Sequence, residues 1–367
     1  MTLRAVDLHL LKLPLTVPYH LSFGDITDFD TIVVEVLDDN DCIGYGEATL
    51  VAAYGGEALE DAWSFSRALA ENLVGRTTAN AKETLAGSLH DHPFSVAAFT
   101  AAIEMLEGHS ILSSSEEIRV PLLGAVNATD HDAIPGEVKR LLAEGYGTLK
   151  VKVGFDVDDD LERLQVIQEA VAGRAVLRLD GNQGYTAKDG CRFAVEADPE
   201  GIELFEQPCA ADDWVAAATV AKVARVPMML DESIFGLEDI ERAADLGIAS
   251  FIKLKLLKMG GLDRLADALE LIRAKGMEPV LGNGVASDIA CWMEAAVAAQ
   301  HIQNAGEFNG FLRPVSGILT EPMVVDSGAM VLPSNFVPEL DREKIARFSI
   351  AGERAGATVV AAEPVAQ

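Results

Sequence analysis

Apolar and polar residues alternate at strand spacing in the opening part of the chain, over Arg4–Leu13, Thr31–Leu37 and Cys42–Glu47, with Asp38-Asp39-Asn40 supplying a hairpin turn. The period then lengthens. Leu59–Leu73, Ala79–Leu89 and Val96–Leu106 carry helical spacing, so residues 1–115 are expected to form an α+β module, meander first and helices after. Ile111–Glu117, rich in serine and acid, reads as the connection out of it.

From Val120 the pattern becomes a repeat. Short apolar runs bounded by turn residues fall at Val120–Leu123, Thr148–Val153, Ala175–Asp180, Ile202–Gln207, Pro227–Glu232, Phe251–Leu256, Glu278–Asn283 and Asn304–Asn309. Amphipathic segments lie between them: Asp158–Ala172 lines up Leu161, Leu164, Ile167 and Val171 before Gly173 ends it. Eight strands alternating with helices predict an α/β fold of the (β/α)8 barrel type over 116–318. A doubly wound open sheet gives the same alternation, but no GxGxxG follows a strand, which disfavours a dinucleotide-binding sheet. Beyond it, Met323–Val325 and Met330–Leu332 predict a hairpin around Ser327-Gly328, and Arg342–Phe348 a short helix. Residues 319–367 are expected to return and pack on the first module, with the last dozen fraying.

Composition narrows the classes. Lys+Arg 29 against Asp+Glu 58 gives a net charge of −29, which repels phosphate backbones and anionic membranes, so neither nucleic acid nor membrane is an expected partner. No run approaches the ~20 apolar residues of a membrane-spanning helix. The start, MTLRAVDLHLLKLPL, has Arg4, Asp7 and Lys12 inside its apolar run and no small-residue cleavage site, unlike a signal peptide. Cys42, Cys191, Cys209 and Cys291 stand far apart without a CxxC pair, which suggests neither a thiolate zinc site nor a disulfide framework. The expectation is a soluble, acidic, cytoplasmic protein.

Charges at the strand ends carry the chemistry. Buried parallel strands should be nearly pure Val, Ile and Leu. Yet Lys150 and Lys152 interrupt the second predicted strand, Asp180 ends the third, Glu206 the fourth and Asp231 the fifth, and Lys253 and Lys255 interrupt the sixth. Lys152, Asp180, Glu206, Asp231 and Lys255 follow one another at intervals of 28, 26, 25 and 24 residues. Each interval is one βα unit, which sets these side chains at similar height at the carboxyl ends, where barrel active sites are built. Three adjacent carboxylates in a partly buried mouth need a compensating charge. A divalent cation supplies it, and an all-oxygen donor set favours Mg²⁺, or Mn²⁺, over zinc. Asn182 is placed to support that shell. Lys152 and Lys255 flank the acids, and a lysine near a cation has its pKa lowered and serves as a general base. The combination fits abstraction of a proton beside a carboxylate.

These residues resemble the enolase superfamily, in its muconate-lactonizing-enzyme subgroup. The matching motifs are LKVKVG (Leu149–Gly154), LDGNQGY (Leu179–Tyr185), FEQP (Phe205–Pro208), LDES (Leu230–Ser233) and IKLKLLKMGG (Ile252–Gly261), in order and spacing, and the likeness covers nearly the whole chain. The resemblance implies a modified TIM barrel, (β/α)7β, with an N-terminal α+β capping domain that includes Gly44-Tyr45-Gly46-Glu47. It implies Mg²⁺ held by Asp180, Glu206 and Asp231, Lys152 and Lys255 as the acid/base pair, and Lys150 polarising the substrate carboxylate. Loops around Pro18–Phe29 and Ala48–Gly56 would close over the site, with Tyr19, Phe23 and Tyr54 as substrate contacts. Family barrels often assemble, so a homo-oligomer is among the expected partners.

Departures refine this. Where the mandelate-racemase branch has a catalytic histidine after the seventh strand, this chain reads Leu281-Gly282-Asn283-Gly284, and His301 nearby is read as structural. Where dipeptide epimerases commonly carry Asp-x-Asp at the eighth strand, it reads Glu307-Phe308-Asn309-Gly310. Glu307 is expected to face Lys255 or reach substrate, or else to form a plain ion pair, and Lys253 to pair with Glu307 or Asp231. The expected activity is racemisation or epimerisation of an amino-acid-type or other small carboxylate. Cycloisomerisation of a muconate-type diacid, or dehydration as in o-succinylbenzoate formation, is the alternative on the same residues.

Overall fold

The computed structural model describes residues 1–21, 24–51 and 57–356. Alternation at the start of the chain produces an antiparallel meander of β1 (Leu3–Leu21), β2 (Gly24–Asp38) and β3 (Ile43–Leu50). Asp38 builds the second turn, its carboxylate accepting the backbone N–H groups of Asn40 and Cys42. Helices α1 (Leu59–Leu73), α2 (Thr78–Ala86) and α3 (Pro93–Leu106) follow. α3 is apolar on nearly all sides and buried accordingly. It lies close on β3 because Gly44 and Gly46 face it; a Cβ on either would come within 2.0 Å of a helix carbonyl oxygen. Val6, Leu8, Val34, Val36, Leu69 and Phe99 form the core between these layers.

The repeat then unfolds in space as read. β4 (Ile118–Pro121) and β5 (Gly124–Val126) lead to α4 (Ile134–Ala143), β6 (Thr148–Lys152), α5 (Val157–Val171), β7 (Val176–Asp180) and α6 (Ala187–Glu196). β8 (Ile202–Glu206), α7 (Trp214–Ala221), β9 (Met228–Leu230), α8 (Leu237–Leu246) and β10 (Phe251–Leu254) come next. Then follow α9 (Leu256–Met259), α10 (Leu262–Ala274), β11 (Glu278–Leu281) and α11 (Asp288–His301). β5 to β11 make one parallel seven-stranded sheet in chain order, curled with helices outside.

Two strands differ from expectation. Val120 belongs to β4, which pairs antiparallel with a later hairpin, and the parallel sheet starts only at Gly124. Asn304–Asn309 forms no regular strand. Its asparagines and glycine are poor strand formers, but it still bridges the sheet edges: Gly306 N–H donates to Pro121 C=O, Leu123 N–H to Gly306 C=O, and Glu307 N–H to Leu281 C=O. Gly282, at φ +128°, permits this approach, since a Cβ there would sit 2.5 Å from Phe308 N. Arg178, fully buried inside the sheet, pins the same segment by donating to Ala305 C=O at 2.7 Å.

The hairpin is β12 (Val324–Asp326) and β13 (Ala329–Leu332), and β13 pairs with β4. α12 (Arg342–Phe348) sends Arg342 as a fork onto Glu35 of β2, and β14 (Ser349–Gly356) joins the first sheet as the antiparallel neighbour of β1. The segment expected to fray lies almost wholly outside the described residues. Among the described residues, no helix is long and apolar enough to cross a membrane.

Candidate active site

Register decides which side chains share the mouth of the curled sheet. Lys152 of β6 pairs with Asp180 of β7, which pairs with Glu206 of β8, so these three stand level. Glu206 pairs with Met229 of β9, which puts Asp231 one pleat further on; Ile252 of β10 pairs with Leu230, which aligns Lys253 with Asp231 and carries Lys255 a pleat beyond. The near-equal spacings thus describe a rising stair rather than a flat ring, as strand stagger in a barrel demands. One pleat below Lys152 and Asp180, Lys150 and Arg178 are paired, and Lys253 stands beside Val280.

All three carboxylates are buried and met by ammonium groups. Lys150 Nζ lies 2.8 Å from Asp180 Oδ2, 2.8 Å from Glu206 Oε2 and 2.6 Å from Glu307 Oε2. Lys152 Nζ donates to Asp180 Oδ2 at 2.6 Å and Asn182 Oδ1 at 2.5 Å. Lys253 Nζ lies 3.1 Å from Glu206 Oε1 and 3.4 Å from Asp231 Oδ2, with its tightest contact to Glu307. Lys255 Nζ lies 2.8 Å from Asp231 Oδ2. Burial opposes the charge on Asp180, but Lys150 and Lys152 outweigh it and lower its carboxyl to about 2. Asp231 is likewise held well below the carboxylate range, by Lys255 and Lys258 against burial. Glu206 goes the other way: burial and Asp180 push it up to about 7. Its Oε2 finds no hydrogen bond of good geometry. Burial pulls the Lys152 pKa down, yet Asp180 and Tyr19 together raise it above the ordinary lysine range.

Glu307 forms ion pairs with Lys150 and Lys253 rather than facing Lys255. Tyr19 is carried to the mouth because the far half of β1 docks on residues 313–315, Thr16 N–H donating to Arg313 C=O and Val315 N–H to Pro14 C=O. Its buried ring lies 5.6 Å from Lys152 Nζ and stacks at 3.5 Å under the Arg313 guanidinium. Burial raises the Tyr19 phenol, but Lys152 and Arg313 outweigh it and lower its pKa. Phe23 and Tyr54 lie outside the described residues. A residual cavity of about 10 Å³ lies there, lined by Tyr19, Lys152, Asn182, Lys255 and Asn283 among others. A larger cleft at the opposite ends of β7 and β8, lined by Leu161, Gln168, Gly173 and Gly201, gathers no comparable chemistry.

Three residues escaped the sequence reading. Lys258 donates to Asp231 Oδ1 at 3.0 Å and to its C=O at 2.7 Å, and Glu232 accepts from Asn182 Nδ2 at 2.9 Å. Arg313 is the third. Each lies on a loop or short helix, where a charge raises no flag; only adjacency to a quoted motif could have pointed to Lys258 and Glu232.

The donor set fits an oxygen-preferring divalent ion. Its best sign is the chemistry of the donors: Asp180, Glu206 and Asp231 are all buried carboxylates, and burial beside Asp180 pushes Glu206 up to about 7. As arranged here, though, no three His, Cys, Asp or Glu side chains among the described residues form a ready-made cage. The physical reason is that lysine ammonium groups lie between neighbouring carboxylates.

Residues 133–336, more than half the chain, match the family described as enolase C-terminal domain-like. The chain belongs to the enolase superfamily. Similar proteins include an N-succinyl-L-Arg/Lys racemase of Bacillus cereus, 25% identical over 79% of this chain and 82% of that protein. The racemase's crystal structure superposes with a TM-score of 0.88 over 97% of this chain and 100% of that one, at 23% identity. A dipeptide epimerase of Cytophaga hutchinsonii, solved with Mg and D-Ala-L-Val, gives a TM-score of 0.87 at 20% identity, covering 96% and 100%. A muconate lactonizing enzyme of Pseudomonas fluorescens, complexed with muconolactone, gives 0.87 at 23% identity, covering 95% and 99%. Enolase-superfamily isomerases therefore surround this chain in sequence and in fold.

Proposed function

We propose that this superfamily member takes a proton from the carbon beside a substrate carboxylate and returns one, acting as a racemase or epimerase of an amino-acid-type or other small carboxylate. The observation that carries the reading is the pair of amines at the two ends of the carboxylate row, Lys152 on Asp180 and Lys255 on Asp231. Asp180, Glu206 and Asp231 would hold Mg²⁺, with Mn²⁺ suiting the same oxygens. Such an ion, when bound, offsets the negative charge that develops on the substrate carboxylate as the proton leaves.

The chain's own residues do the rest. One lysine, as the neutral amine, accepts the α-proton at Nζ while the C–H pair moves into the carboxylate. The other, as the ammonium, gives a proton to the opposite face of the same carbon, and the configuration inverts. Lys150 adds positive charge beside the substrate carboxylate. Asn182 fixes Lys152 through its side-chain oxygen, and Tyr19 under Arg313 covers the cavity against water.

Glu307 bears on the substrate. With Lys150 and Lys253 both on it, it is not free to grip a substrate ammonium, and Asn309 beside it carries no charge. That favours substrates whose amino group is acylated. It also sustains a second reading, cycloisomerisation of a muconate-type diacid or an o-succinylbenzoate-type dehydration, in which one lysine works and the other only carries charge. The cytoplasmic setting, homo-oligomeric assembly and lack of nucleic-acid or membrane partners belong to the same proposal.

Incubation with N-acylamino acids, dipeptides and diacids in D₂O with Mg²⁺, followed by NMR, tests it. Exchange at the α-position with inversion supports racemisation. Exchange or product without inversion supports the second reading, and no exchange with any carboxylate overturns both.

A further inference from the structure

Lys253 has no part in the reaction above, yet it is 2% exposed and sits inside the sheet. Its partner in the register, Val280, is what a parallel sheet interior ordinarily contains. A lysine there is costly unless paired. Its pairing is specific: Glu206 Oε1 at 3.1 Å, Asp231 Oδ2 at 3.4 Å, and Glu307 closest. The first two belong to the acids that would hold the divalent ion. An ammonium group and a divalent cation cannot share those oxygens without strong like-charge repulsion, which is little screened in a buried site. Glu307, on the closing segment rather than on the strands that carry the three acids, offers a second seat to the same ammonium.

We infer that Lys253 is a tethered counter-ion that competes with the divalent cation for Glu206 and Asp231, and that Glu307 is the seat to which it withdraws when the ion binds. The inference rests on the reading of Asp180, Glu206 and Asp231 as the metal ligands. It makes the mouth nearly charge-balanced before the ion arrives and sets divalent affinity by the residue at 253.

Calorimetric titration of the full, metal-free chain with Mg²⁺ tests this without recourse to turnover. Lys253→Met should bind Mg²⁺ at least about tenfold more tightly than the unaltered chain. Lys253→Gln, smaller and polar, should show the same direction and serves if the Met variant fails to fold by circular dichroism. Glu307→Gln should weaken binding at least about threefold, and by less when Lys253 is already Met. Mg²⁺ bound by the unaltered chain and no more tightly by either Lys253 variant overturns the competition alone. An equal effect of Glu307→Gln with and without Lys253 overturns the seat. No Mg²⁺ binding by any of these proteins overturns the metal reading along with both.

Discussion

Two sets of buried carboxylates hold this molecule together, and they are neutralised in opposite ways. At the mouth, Asp180, Glu206, Asp231 and Glu307 face lysine ammonium groups. At the seam between the first module and the barrel, acids face backbone N–H groups at helix starts. Glu47 of β3 accepts from Ser287 N–H at 2.5 Å and Ile289 N–H at 3.0 Å, at the head of α11. Glu104 of α3 accepts from Leu262 N–H at 2.7 Å at the head of α10. Helix starts leave unpaired donors and carry partial positive charge, so an acid there satisfies the helix and glues two modules without a cation. The electrostatic outcome differs accordingly. Lysines drive Asp180 and Asp231 down, whereas burial pushes Glu47 up to about 8 against the pull of Ser287 N–H, and pushes Glu104 up as well. Full charges opposite each other make reactive sites; partial charges opposite a carboxyl make joints.

The sharpest way to break this contrast is at the mouth. Lys152→Ala and Lys255→Ala should each lower α-proton exchange and turnover by about a thousandfold or more, within the range of a lost acid/base group, with circular dichroism unchanged. Retained turnover in either variant would reduce the mouth to a structural ion-pair network. Next, chelation of divalent ions should abolish turnover reversibly, with Mg²⁺ restoring it, and leave the seam intact by melting temperature. Glu47→Gln should do the converse, with kcat held within about twofold and stability altered.

The pH dependence of that variant sharpens the comparison further. Glu47 has a folded-state pKa raised above its ordinary 4.5. The stability it contributes is therefore complete below about pH 4.5 and is lost as the pH rises through about 8. The unaltered protein should lose on the order of 5 °C in melting temperature, relative to Glu47→Gln, between pH 5 and 8. Parallel melting curves across that range would show the joint to be charged from the start. The smallest effect should come from the exposed pair of Arg67 with Glu353, where Arg67→Ala is expected to cost less than about 1 kcal/mol by thermal melting.

The legibility of the two sets in the sequence follows the same division. Lys150, Lys152, Asp180, Glu206, Asp231, Lys253 and Lys255 stand out because a charge in a buried parallel strand is costly and so needs a reason. Their alternation and spacing carried enough geometry to bring them together. Glu47 was quoted only as part of a motif, Glu104 fell unremarked inside the segment Val96–Leu106, and Lys258, Glu232 and Arg313 were passed over. These sit on helices, loops or an edge strand, where an ionisable side chain is ordinary, and the partners of Glu47 and Glu104 are backbone groups that no sequence pattern marks. The helical and hairpin elements were legible from period alone. The closing segment at 304–309 was not, because its role depends on hydrogen bonds to both sheet edges and on the bare Cα of Gly282 rather than on strand propensity.

The pairing of β14 with β1 has a consequence for synthesis. Residues 349–356 emerge from the ribosome after every barrel strand has been made, yet they cover the edge of the first strand made. Until then the stretch of β1 from Ala5 to Leu11 has one edge bare, open to pairing with another chain. Truncation a few residues before Ser349 should therefore leave a nascent protein with a finished catalytic half and an adhesive beginning. Arrival of β14, rather than barrel closure, is the step that makes it safe.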